Sequence, residues 1–191
     1  MRRPLAFAGL ALVAAAVALA PPPRGKSSSV GLALLGPFAP LARDVQWIRF
    51  QRAHLLGNEE QAIRFAESAL ALDPATTDGW RLLAAHLALF HGSPERTPDP
   101  VQRRAWFRAG LAVAQRGSEQ AEEPGELDLW RGLILADRAD LDPPVDPEGA
   151  RGLLEEAVLA FEAAARRGHP AGEDLAAEAR RALASESTTG E

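Results

Sequence analysis

Cysteine is absent from this 191-residue chain, which excludes disulfides, thiolate metal sites, a cysteine nucleophile and a lipid-modified cysteine anchor. Tyrosine is absent as well. Lysine occurs once, at Lys26, beside 20 arginines, a bias that fits a GC-rich bacterial genome and carries no mechanism. What is present is ordinary for a globular protein: 47% hydrophobic and 25% charged residues, enough to build a real core. The length suits one domain plus terminal extensions.

The formal charge of −5 is unevenly spread, because Arg2, Arg3, Arg24 and Lys26 all precede the first acid, Asp44. The remainder carries 17 basic and 26 acidic residues, a net −9. An acidic body offers no clustered basic face for a phosphate backbone, so no nucleic-acid partner is expected, and long-range attraction favours basic partners.

Residues 5–20 form an uncharged apolar run, preceded by Arg2-Arg3 and closed by Pro21-Pro22-Pro23. This pattern reads as a signal peptide or membrane anchor over residues 1–20. Cleavage after Ala20 would leave Pro21 at the junction, and cleavage after Ala18 would leave Leu19. The 16 residues cover only ~24 Å at 1.5 Å each, short of a ~30 Å hydrocarbon core, so a retained anchor needs local thinning or help from its flanks. A buried N-terminal helix is the structural alternative, although the run has no polar face. The Arg pair lacks the neighbours of a twin-arginine signal. Residues 21–39 read as a linker followed by an apolar lead broken by Gly36 and Pro37.

From residue 40 to 185 the pattern is helical, with no alternation long enough for a strand, so the fold class is all-α, with about seven helices following the N-terminal hydrophobic one. The stops and caps predict helices at about 40–56, 59–72, 76–91, 100–116, 125–141, 147–167 and 170–185, and a disordered tail over 186–191. Gly57 and Asn58 separate the first two, Asp73-Pro74 ends the second, and Asp99-Pro100 opens the fourth. In the sixth, Ala150, Leu153, Leu154, Ala157, Val158, Phe161, Ala164 and Ala165 make one apolar stripe.

The second helix carries Ala62 and Ala69 seven residues apart and Pro74 after its last turn, and six residues later come Trp80, Leu83 and Ala84. This spacing resembles the tetratricopeptide repeat, in which small residues let paired helices pack closely and a proline ends each pair. A further pair is similar, with Trp130 and Leu133 followed by Ala157 and Ala164. The chain departs from the pattern in three places, one of them a longer connector within the Trp130 pair. Ser93–Pro98 inserts before the fourth helix, and Gln46 stands where the family has an aromatic, with Trp47 one place late. The resemblance spans roughly residues 41–185 and implies antiparallel helix hairpins in a short solenoid of about three pairs plus a cap. It further implies a concave groove lined by first helices, placing Arg81, Arg131 and Arg138 there, with Trp47, Gln51 and His54 extending it. An irregular bundle of alanine-rich helices is the structural alternative.

Chemistry has no candidate. The histidines at 54, 86, 91 and 169 are scattered, and His86 to His91 is not a same-face spacing. Asp140, Asp142, Asp146 and Glu148 fail as a calcium loop, since Val145 stands at the turn-glycine position and Arg151 at the bidentate-glutamate position. No Gly-rich phosphate loop, His-Glu-x-x-His helix or Gly-x-Ser-x-Gly elbow occurs, and Glu122-Glu123 and Glu155-Glu156 read as solvated charge. No catalytic residue, cofactor or metal is expected. The expectation is a non-enzymatic adaptor or assembly scaffold of the bacterial cell envelope, periplasmic or anchored to the inner membrane, with a protein or peptide partner and with membrane contact through residues 5–20 if they are retained. The alternative is a small helical protein holding a lipid or other apolar ligand between its helices.

Overall fold

The computed structural model describes residues 36–141 and 147–188. Residues 1–20, most of the linker and the last three residues of the tail lie outside them. The described chain is all-helical, without strands, and has seven α-helices. It divides into two compact units at Asp73/Pro74.

In the first unit a 3₁₀ turn, Gly36–Phe38, leads into α1 (Ala39–Leu55), and α2 (Glu59–Leu72) follows. Gly57 takes φ +72°, a left-handed conformation that stops α1 and that a side chain would strain. The Asn58 side chain then accepts from the Gln61 N–H and caps α2. Arg43 near the start of α1 reaches Asp73 just past the end of α2, at 2.7 Å, so the two helices close as an antiparallel hairpin. Ala62, Ala66 and Ala69 make a fully buried face on α2.

The second unit holds α3 (Thr77–Ala85), α4 (Pro100–Ser118), α5 (Pro124–Leu141), α6 (Pro147–Arg166) and α7 (Gly172–Thr188). Each packs on the next, and α3 also packs on α5. The expected third helix does reach His91, but its last part, His86–His91, is π-helical, with the Gly92 N–H bonded to the carbonyl of Leu87 five residues back. The wider turn sits in a ring cluster in which His86 stacks on Phe90 at 5.3 Å and His91 lies 4.9 Å from Trp106. α4 starts as expected, with Asp99 Oδ1 accepting from the Val101 N–H at 3.1 Å. The Ser118–Glu123 loop is tied back to α3, because the Glu122 N–H donates to the Ala75 carbonyl and the Glu123 N–H to the Thr77 hydroxyl. At the far end α7 stays helical through Thr188, where the sequence pattern suggested a frayed tail from 186.

Close approach is what these helices share. A Cβ built on Gly110 would lie 2.6 Å from the Ala88 Cβ and 2.7 Å from the Ala84 carbonyl oxygen; one on Gly117 would lie 2.7 Å from the Trp80 Cβ. Gly110 and Gly117 are seven apart, the interval of Ala62/Ala69 and Ala157/Ala164, and those four alanines are all fully buried. Across α5 and α6, a Cβ on Gly132 would meet the Phe161 ring at 2.4 Å.

An alanine replacing glycine in a helix interior ordinarily gains about 1 kcal/mol. Gly110→Ala should instead lose about 1–3 kcal/mol by overpacking against α3. Gly152→Ala, whose Cβ meets nothing within 4 Å, should gain stability. Urea unfolding of the two variants checks this, and shifts of the same sign would refute the close contact.

Candidate partner-binding surface

The residues that the repeat pattern singled out fall mostly where close packing needs them. Leu83 and Ala84 are fully buried, and Trp80 is nearly so, its indole N–H donating to the carbonyl of Pro74 at 2.9 Å. Pro74 itself is exposed, and Trp130 is half-buried.

The residues expected to meet a partner sort differently. On α1, Trp47 is half-buried with its ring edge-on to Phe50 at 5.7 Å, Gln51 is exposed, and His54 Nδ1 lies 3.2 Å from Glu59 across the α1–α2 turn. On α3, Arg81 is half-exposed; it pairs with Asp78 at 2.7 Å and sits 5.5 Å from the Trp130 ring centroid. Arg131 on α5 is half-buried. Arg138 is buried: its Nη2 donates to the Gly92 carbonyl at 2.6 Å, and its guanidinium stands 4.7 Å from the Phe107 ring centroid. It therefore ties α5 to α4 and to the end of the π-helical turn.

The pattern reading missed Glu126, which joins the group. Glu126 Oε1 accepts from the Trp130 indole at 3.0 Å and lies 3.6 Å from Arg81 Nη1. Its other oxygen is 3.0 Å from His169 Nε2. The Ala171 N–H donates to His169 Nδ1, which leaves Nε2 as the protonated nitrogen that donates to Glu126. Residues of α3, α5 and the α6–α7 connection thus meet on one carboxylate, in a patch that combines an arginine, an indole and an acid. The Glu126–Trp130 spacing of four residues on one helix is the sequence signal that would have found it.

Asp128 lies buried on the same helix. Arg167 Nη1 approaches its Oδ2 to 2.9 Å without hydrogen-bond geometry and donates instead to the Ser118 carbonyl at 3.0 Å. Burial pushes the Asp128 carboxyl above its ordinary value, and the pull of Arg167, Ser118 and Arg131 only partly opposes this.

Among the described residues no helix is long and apolar enough to cross a membrane, and the run at 5–20 lies outside them. Compared with family models, curated proteins and solved structures, the chain matches none.

Since the folded chain holds the Asp128 proton more tightly than the unfolded chain, the associated stability is intact below the unfolded pKa of about 3.9 and is lost as pH rises through the raised folded value. Asp128→Asn cannot ionise. Its urea midpoint should therefore climb relative to wild type as pH rises above about 3.9, and a difference that stays flat or falls would contradict the upward shift.

Proposed function

We propose that this chain is a tetratricopeptide-like adaptor or assembly scaffold of the bacterial cell envelope, which binds a protein or peptide partner and catalyses nothing. One observation carries this reading: α3 packs on α5 as well as on α4, and α5 packs on α6, the contacts expected if the first helices of two successive hairpins lie side by side. The close contacts at Gly110 and Gly117 and the buried Ala157 and Ala164 support the same repeat, because they put a small residue at the same two positions of successive second helices.

In this reading the partner rests on the surface of α3 and α5. Arg81 and Arg131 offer planar donors to a carboxylate, and the half-buried Trp130 offers a flat apolar face that keeps water from them. Arg81 is held by Asp78, Glu126 and the Trp130 ring, which limits the entropy lost when a partner docks. Arg138 contributes from behind, by fixing α5. On the first unit, Trp47, Gln51 and His54 are a second candidate contact set. Export or anchoring rests on residues 1–20, whose basic start and apolar run are those of a secretory signal.

The test is in-cell crosslinking of the full chain followed by mass spectrometry, with Arg81→Glu/Arg131→Glu alongside. The expected result is a defined envelope protein that crosslinks to wild type and drops at least about tenfold with the charge-reversed chain, while helix content measured by circular dichroism is unchanged. An unaltered crosslink pattern would remove α3 and α5 as the binding surface. Fractionation of the same cells should place the chain in the membrane or periplasm; recovery in the cytosol alone would overturn the envelope assignment.

A further inference from the structure

A cleft of about 300 Å³ opens between α4 and α6. Among the described residues its lining includes Arg103, Arg104 and Arg108 from α4, Arg138 from α5 and the acid Glu156 from α6, in a body that is otherwise acidic. Helix α4 has four arginines and no acid anywhere in Pro100–Ser118. Two of the four lining arginines have structural work: Arg138 holds the Gly92 carbonyl, and Arg103 makes long contacts to the Thr97 and Pro98 carbonyls at 3.4 and 3.5 Å. Arg104 and Arg108 do not. Both are exposed, stand one helical turn apart, and form no ion pair among the described residues, Glu156 included.

Like charges set side by side on one helix are unfavourable unless something neutralises them. The alternation of Arg-stabilising acids seen elsewhere, as in the Arg64–Glu60 and Arg151–Glu155 pairs, is missing here. The cleft wall is also partly apolar, with Phe107 and Leu153 beside the guanidiniums, and a Cβ on Gly152 would meet nothing within 4 Å, so the space is open. We propose that this cleft binds the phosphate group of an organic phosphate, with Arg104 and Arg108 as its principal donors and with Phe107 and Leu153 against the apolar part of the ligand. A tetrahedral dianion suits two planar guanidinium forks one helical turn apart better than a single carboxylate does. The volume, at the low end of the ~300–1,000 Å³ typical of small-ligand sites, admits a phosphate and a ring-sized group. Because the body as a whole repels anions, binding has to come from these local donors rather than from general attraction. The site uses α4 and α6 and does not rest on the partner surface of α3 and α5.

Titration calorimetry of the full chain with phenyl phosphate tests the proposal, with glutarate as a carboxylate probe. Phenyl phosphate should bind with a Kd below about 1 mM, and Arg104→Gln/Arg108→Gln should weaken it at least about tenfold. Gly152→Phe, which fills the cleft and leaves every arginine in place, should weaken it as well. Arg116→Gln, on the same helix but outside the cleft, should change it by less than about twofold. Vesicles of phosphatidic acid in phosphatidylcholine separate the two sources of phosphate. Co-sedimentation that depends on Arg104 and Arg108 assigns a lipid head group, and phenyl phosphate binding without it assigns a soluble ester. No heat up to about 10 mM phenyl phosphate, equal loss with Arg116→Gln, or glutarate binding as tightly as phenyl phosphate would each overturn the proposal.

Discussion

The second unit depends on how closely its helices approach. Alanine and glycine at seven-residue intervals remove the side chains that would otherwise hold two backbones apart, and the gap they leave is filled from the facing helix. At Gly110 and Gly117 the facing atoms are Ala84, Ala88 and Trp80; at Gly132 it is the Phe161 ring. Helices in proteins draw most of their stability from tertiary packing, so the dispersion and burial gained at these contacts give the unit its cohesion.

That constraint orders the polar groups as well. With α3 and α5 side by side, Glu126 can collect Trp130, Arg81 and His169, and each of these partners satisfies an atom that would otherwise face a half-buried space unbonded. Arg138, packed on Phe107 and bonded to the Gly92 carbonyl, fixes α5 against the end of the π-helical turn that follows α3. Asp128 is the less favourable case, since its carboxyl is buried beside an arginine whose hydrogens are aimed elsewhere. Arg104 and Arg108, by contrast, are exposed on a helix without acids.

Element boundaries were legible wherever the punctuation is chemical. Asn58 and Asp73-Pro74 bracket α2 at the predicted residues, and Asp99-Pro100 starts α4 where a capping carboxylate and a proline require it. The all-helical class followed from periodicity alone. The π-helical turn could not be read, because His86–His91 fits an α-helical stripe equally well and only the ring packing around Trp106 distinguishes the two. The small-residue character of α4 was legible around residues 105–112, Gly110 included, but Gly117 was not, because it fell just past the expected helix end, where glycine reads as a stop; in the structure it lies in the last turn of α4 against Trp80, which leaves no room for a Cβ. The repeat resemblance placed Arg138 in the groove, two turns beyond Arg131, yet the Gly92 carbonyl and the face of Phe107 give a buried guanidinium its partners. The arginine cleft joins residues on three helices and is visible only after folding.

Nuclear Overhauser spectroscopy of the methyl-labelled chain tests the close approach most directly. Strong cross-peaks are expected between the Gly110 α-protons and the Ala88 methyl, and between the Gly132 α-protons and the Phe161 ring. A folded, helical chain that lacks them would show that these helices do not touch through their small residues, and the repeat arrangement would fall with that contact.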